Sequence, residues 1–234
     1  MKTVNDIRRQ LIQKYRDGDF VTDKTGQKTV EIVAESFIAN EDWIVKLPNK
    51  EYIERELEWY KSQSLFVKDI PGETPAIWKQ VADADGKINS NYGWAIWSEE
   101  NHSQYMNVLM ELIMNGFSRR ATMIYNRPSM HTDYNQNGMS DFMCTYANGF
   151  FIRDNKLHSH YIMRSNDARF GYANDVAWAK YVQQRLLDDL NTNEHFFENE
   201  LELGDLYWTA TSLHVYERDF KLLDDLISTG KYEG

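Results

Sequence analysis

The chain has 234 residues, a formal net charge of −10 and 42% hydrophobic residues. That apolar content excludes a disordered chain, and the acidity argues against a surface built to coat nucleic acid or bind it directly. A single cysteine excludes an internal disulfide and fits a reducing, cytoplasmic compartment. No apolar run approaches the length of a membrane span, and residues 1–5 do not have the form of a signal peptide. The length is that of one domain, 1–234, with a sizeable core.

The predicted elements mix helices and strands in an α+β pattern. Residues 4–16 read as a helix, with Val4, Ile7, Leu11 and Tyr15 on one stripe. Residues 23–26 carry a turn signal, and residues 29–37 alternate as a strand does. Residues 49–62 read as a helix facing inward through Ile53, Leu57 and Tyr60. Residues 103–114 repeat that pattern with Met106, Leu109 and Ile113. Residues 121–125, 141–152 and 157–164 are aromatic and β-branched enough to be strands. Asp154 and Asn155 form the hairpin turn between the last two, and residues 126–137 form a loop. Residues 175–190 form a long helix, with Trp178, Val182, Leu186 and Leu190 four apart. A strand over 206–216 and a helix over 219–228 complete the pattern, without repeats, low-complexity tracts or linkers.

Chemistry concentrates around Cys144. A lone thiol is either a small buried hydrophobe or a nucleophile. Twenty residues on come Arg164, Ser165, Asn166 and Asp167, then Gly171 and Asp175. Arg164 and Ser165 suit a phosphate, as do Arg119 and Arg120, because guanidinium forks bind phosphate oxygens bidentately. Taken alone, an Arg–Arg pair is more often a solvated surface pair. His158 and His160 share one strand face, as metal ligands do, but no third ligand accompanies them, so no metal is expected.

In order and spacing, Arg119–Arg120, Cys144, residues 164–171 and His214 with Tyr216 resemble the thymidylate synthase family. Residues 66–75, 89–97, 141–144 and 163–167 are similar to its phage deoxycytidylate hydroxymethylase branch. The similarity runs from about residue 17 to about residue 230, and several motifs in order make it specific.

The resemblance implies a mixed β-sheet packed with helices and dimerising through its sheet face. It also implies transfer of a one-carbon unit from 5,10-methylenetetrahydrofolate to carbon 5 of dCMP, followed by hydration. Cys144 would add to carbon 6 of the ring, turning carbon 5 into a nucleophile. Only a thiolate attacks, and neighbouring arginines are expected to lower its pKa. Asp175 stands where uracil-using relatives carry asparagine. An ionised carboxylate only accepts hydrogen bonds, which suits the cytosine amine. Taken alone, Asp175 also reads as the N-cap of helix 175–190.

Carried over residue by residue, Glu56 orders water and relays protons, while Glu58 is a surface charge. Tyr92 lies near the nucleophile. Lys24 replaces a phosphate-binding arginine, joined by Arg164, Ser165, Asn166 and the partner's Arg119 and Arg120. His214 and Tyr216 grip the sugar hydroxyl; Trp78, Asp167 and Gly171 line the folate.

Gly149 departs from the pattern, since the family has glutamine five residues after the cysteine; Asn148 or water is left to substitute. The tail after Gly230 is short against that branch, so closure over the folate is expected to differ. A CMP or dUMP hydroxymethylase or methylase, a non-catalytic nucleotide-binding homologue, and membership of a nucleotide-synthesis complex stay open.

Overall fold

The computed structural model describes residues 1–22, 26–192, 197 and 199–232. The described strands are β1 (Lys2–Thr3), β2 (Val21–Thr22), β3 (Lys28–Ile38), β4 (Thr122–Ile124), β5 (Thr145–Arg153), β6 (Lys156–Met163), β7 (Asn166–Asp167) and β8 (Glu202–Tyr216). They form one mixed sheet in the order β1-β3-β8-β6-β5-β4, with β2 on β3 and β7 on β8. Within it, β3–β8, β5–β6 and β4–β5 are antiparallel, whereas β6–β8 and β7–β8 are parallel. The helices are α1 (Val4–Arg16), α2 (Lys50–Ser62), α3 (Ala76–Val81), α4 (Tyr92–Trp97), α5 (Gln104–Met114), α6 (Met130–Asp133), α7 (Gly171–Asn191) and α8 (Phe220–Thr229).

Local chemistry sets the helix starts. At α1 the Thr3 backbone N–H donates to Asp6 Oδ2 at 2.8 Å, which satisfies an orphan donor of the first turn. At α2 the Asn49 side chain accepts from the Tyr52 backbone N–H at 3.2 Å. The stripe of α7 is as predicted: Trp178, Val182, Leu186 and Leu190 are all buried. They join a continuous apolar cluster with Val4, Ile7 and Leu11 of α1 and Leu213 and Val215 of β8. Asp154 and Asn155 take φ of 51° and 60°, the paired left-handed conformations of a tight hairpin.

The differences from expectation have local causes. Strand β5 begins at Thr145, not at 141, because other partners take up the preceding backbone. The carbonyls of Phe142 and Met143 accept from the Arg164 guanidinium at 2.6 and 2.9 Å, and a register shift follows between Thr145 and Ala147. Helix α7 begins at Gly171, four residues early, so Asp175 lies inside the helix and is not its N-cap. Strand β8 begins early because Glu202 already pairs with Lys156 of β6. The expected loop 126–137 contains the short helix α6. Of the turn at 23–26, residues 23–25, Lys24 included, lie outside the described residues.

The two faces of the sheet differ. Phe150, Leu157, Ser159, Tyr161, Trp208 and Leu213 face inward and are buried. The outward residues stay partly open. Phe151, His158 and Tyr207 stack there, with ring centroids 5.2–6.1 Å apart. His160 Nε2, Thr209 and Ser36 form a hydrogen-bond chain with both links at 2.8 Å. Val33, Ile124 and Tyr146 are exposed.

Candidate active site

Cys144 lies on the extended segment just before β5 and is half-buried. Arg164, at the end of β6, holds that segment from three directions. Its backbone N–H donates to the Cys144 carbonyl at 2.8 Å, and its side chain bonds the Phe142 and Met143 carbonyls. The guanidinium lies 4.9 Å over the Phe142 ring, and Nη2 reaches the Cys144 Sγ at 3.4 Å. A second clamp comes from Asp141, which accepts from the Asn89 and Ser90 backbone N–H groups at 2.7 and 2.8 Å and from the Ser90 hydroxyl at 2.7 Å.

Burial pushes the Cys144 thiol up to about 11; Arg164 pulls it down, while Asp175 and Asp141 push it further up. The expected arginine effect is therefore present but outweighed by desolvation, and the thiolate is not preformed in the free protein.

Asp175 faces Cys144 from the second turn of α7. Its Oδ1 accepts from the Tyr92 hydroxyl at 3.1 Å and its Oδ2 from the Asn166 amide at 3.0 Å. Burial raises its pKa well above the ordinary carboxylate value, with Glu56 adding to the effect. Gly171 sits against this pair. A Cβ there would lie 3.3 Å from Asn166 Nδ2 and 3.6 Å from Asp175 Oδ2, so glycine leaves the Asn166–Asp175 contact room. Stacked and edge-on rings of Tyr60, Tyr92, Tyr125 and Trp178, with centroids 5.1–5.4 Å apart, wall this end of the site and supply the desolvation.

Glu56 is buried on α2, and Glu58 beside it is exposed, in keeping with the family resemblance. Burial pushes the Glu56 carboxyl up to about 7, against hydrogen bonds from Tyr52 and Trp78 that lower it. The Trp78 indole donates to Glu56 Oε1 at 3.3 Å, so a residue expected at the folate also touches this acid. At the other end, Asp167 pairs in register with His214 between β7 and β8. The His214 and Tyr216 rings meet edge-on at 4.8 Å. Burial raises the Asp167 carboxyl and lowers the His214 imidazole. Ser165 follows Arg164 and is half-buried.

Arg119 and Arg120 do not join this cluster. The β4–β5 register pairs Thr122 with Gly149, which puts the two arginines at the far end of β5. Seven residues of strand separate that point from Cys144, roughly 20 Å at ~3.3 Å per residue. Both are exposed, and Arg120 pairs with Glu111 at 3.0 Å. Gly149 faces outward, where a Cβ would meet Thr122 Oγ1 at 3.7 Å. Asn148 is the inward amide, fully buried and accepting from Ser159 Oγ at 2.7 Å. His158 Nδ1 accepts from the Asp205 backbone N–H at 3.0 Å. Among the described residues no three His, Cys, Asp or Glu side chains cluster as metal ligands.

A model of the family described as thymidylate synthase matches residues 9–233. The chain belongs to the thymidylate synthase family. It is 55% identical over 229 residues to the deoxycytidylate 5-hydroxymethyltransferases of Enterobacteria phages T2 and T4, covering 98% of this chain and 92% of theirs. It is 22% identical to a thymidylate synthase of Francisella tularensis subsp. holarctica, over 74% of this chain and 64% of that one. Thermostable thymidylate synthase A from Bacillus subtilis shares the fold, with a TM-score of 0.70 at 21% identity, covering 94% of this chain and 83% of that one.

Within this thymidylate synthase framework, two site residues went unnoticed in the sequence. Tyr52 donates its hydroxyl to Glu56 Oε1 at 2.6 Å; its position four residues before Glu56 on a helix was the available signal. Asp141 stands in a stretch that resembles the family, but nothing local shows its clamp, since its partners lie about fifty residues upstream.

Proposed function

We propose that this protein transfers a one-carbon unit from 5,10-methylenetetrahydrofolate to carbon 5 of dCMP and hydrates it, releasing 5-hydroxymethyl-dCMP and tetrahydrofolate. The observation that carries the reading is a protonatable Asp175, held by Tyr92 and Asn166, close enough to Cys144 for its charge to raise the thiol. The identity to the phage enzymes supports the same substrate.

The residues divide the work as follows. Asp175 accepts a hydrogen bond from the cytosine amine and gives its proton to ring nitrogen 3. As that proton moves, the Cys144 sulfur loses its own proton to solvent and bonds carbon 6, with Arg164 stabilising the thiolate. Carbon 5 then bonds the one-carbon unit that the folate supplies and loses its hydrogen. Tetrahydrofolate leaves, an exocyclic methylene remains on the ring, and water adds its oxygen there. The electron pair returns through the ring, the carbon 6–sulfur bond breaks, ring nitrogen 3 gives its proton back to Asp175, and the departing thiolate regains a proton from the added water. Glu56, with its carboxyl near 7, takes and returns protons on this face.

A neutral acid also fits uracil, donating to its oxygen and accepting from its N–H. The preference for cytosine therefore lies in the transition state, where only cytosine offers an unprotonated ring nitrogen to receive the Asp175 proton.

Trp78 and Asp167 are suited to hold the folate, one offering an indole face and the other a half-buried carboxylate. Lys24, Arg164, Ser165 and Asn166 bind the nucleotide, and His214 with Tyr216 holds the sugar. The outer sheet face packs on a second copy, whose Arg119 and Arg120 complete the phosphate site; their distance from Cys144 in one chain and the exposed Val33, Ile124 and Tyr146 support this. The 234 residues act as one catalytic domain in the cytoplasm, that of the host if the chain is phage-encoded.

The test is a mass analysis of products from dCMP, CMP and dUMP with methylenetetrahydrofolate. A hydroxymethylated product formed fastest from dCMP is expected. A methylated product, or equal turnover of dUMP, contradicts the reading.

A further inference from the structure

We propose that Tyr52 is a positioning residue for this reaction: its phenol ties down one oxygen of Glu56, so that the other oxygen is the one left to exchange protons at the pyrimidine. The inference rests on the role given to Glu56 above.

The geometry is a closed triangle. The Tyr52 hydroxyl donates to Glu56 Oε1 at 2.6 Å. The Trp78 indole N–H donates to the Tyr52 oxygen at 3.0 Å and to Glu56 Oε1 at 3.3 Å. Oε1 thus receives two donors, while Oε2 has no hydrogen bond among the described residues. A carboxylate otherwise interchanges its two oxygens by turning about its last torsion, which is broad and roughly two-fold. The triangle selects one of those orientations.

Both donors are themselves fixed. The backbone N–H of Tyr52 bonds the capping Asn49, which pins the first turn of α2. The Trp78 indole packs edge-on against buried Trp59, centroid to centroid 5.3 Å. The ionisable groups facing this cluster are Arg55 and Tyr60 on α2 and Asp175 on α7. Tyr52 itself titrates far above its ordinary value, chiefly through burial and then the Glu56 charge, so it is a donor throughout the working range and not a base. A donor to the ionised form favours ionisation, and its removal leaves burial less opposed.

The experiment compares wild type, Tyr52→Phe and Glu56→Gln in kcat and KM for dCMP from about pH 5.5 to 9.5. Removing the hydroxyl takes a hydrogen bond from a charged acceptor, which corresponds to about one pH unit or slightly more. In Tyr52→Phe the acid limb of kcat is expected to move up by about one unit. Activity then falls roughly tenfold near pH 6 and returns to within about twofold of wild type near pH 9, with KM for dCMP unchanged.

A drop of equal size at every pH, or an unmoved limb with a folded variant, overturns the inference. Glu56→Gln separates this from failure of the underlying assignment. If that variant turns over at the wild-type rate, Glu56 is not the working acid and both fall. If it is inactive while Tyr52→Phe matches wild type at all pH, only the role of Tyr52 falls.

Discussion

On the inner side of the sheet, Cys144, Asp175 and Glu56 each meet their hydrogen-bond partners within one chain. On the outer side, Val33, Ile124 and Tyr146 remain exposed, and the exposed Arg119 and Arg120, the latter paired with Glu111, lie well away from the thiol. The contrast separates two tasks. Bond-making at the ring needs desolvated groups with displaced pKa values, and one chain supplies them. Gripping a dianionic phosphate needs several cations converging on one point, and on the reading proposed above a second copy completes that set.

The strongest test of the inner region is its nucleophile. Cys144→Ala is expected to lower product formation by at least about 10⁴-fold and to abolish release of tritium from carbon 5 of labelled dCMP. Retained tritium release would mean that the ring is activated by something other than this sulfur. Next comes Asp175→Asn, which is expected to lower turnover of dCMP by about 10³–10⁴-fold, because an amide cannot give a proton to ring nitrogen 3. Turnover of dUMP should fall far less, so the ratio of the two rates is the quantity to measure. An unchanged ratio breaks the account of base choice.

The outer region is tested by mixing. Cys144→Ala chains and Arg120→Ala chains are each expected to be nearly inactive. Scrambled together, half of the dimers are mixed and each has one intact site, so roughly a quarter of wild-type activity should return. No recovery would mean that sites are not shared between copies.

A smaller effect, on stability, sharpens the view of the inner region as a desolvated one. The Glu56 pKa is raised on folding from 4.5 to about 7. The folded state therefore binds more protons than the unfolded chain between those values, and stability falls as pH rises through that window. Glu56→Gln removes the term, so its Tm should approach or fall below wild type near pH 4.5 and exceed it near pH 8. A gap of order 3 kcal/mol is expected from the shift. A Tm difference that is flat across this window contradicts the assignment of a buried, partly neutral acid.

Much of this was legible in the sequence, for physical reasons. Trp178, Val182, Leu186 and Leu190 reported helix α7 because a buried helical stripe must repeat every turn. Asp154 and Asn155 reported a hairpin because few residues tolerate the left-handed conformation. The clustering of Cys144, Arg164 and Asp175 was legible only as motif order. Nothing in periodicity shows that a helix starting at Gly171 turns Asp175 toward Tyr92 and Asn166. The Arg164 effect on Cys144 is legible in the motif, but the net rise is not, because a motif names neighbours and not the amount of water they exclude. The role of Asp141 was invisible because it is made entirely by contacts distant in the chain. Gly149 looked like a lost site amide, whereas the register shift at the start of β5 accompanies a strand that turns Asn148 inward and Gly149 out.

The account depends most on the sulfur–pyrimidine bond and on the acid that reads the base. Both are reached by incubating the protein with 5-fluoro-dCMP and methylenetetrahydrofolate, then locating the trapped nucleotide by peptide mass spectrometry. The account predicts a covalent adduct on the peptide containing Cys144, formed far faster from 5-fluoro-dCMP than from 5-fluoro-dUMP. An adduct on another residue, or equal trapping rates for the two fluoronucleotides, would contradict it.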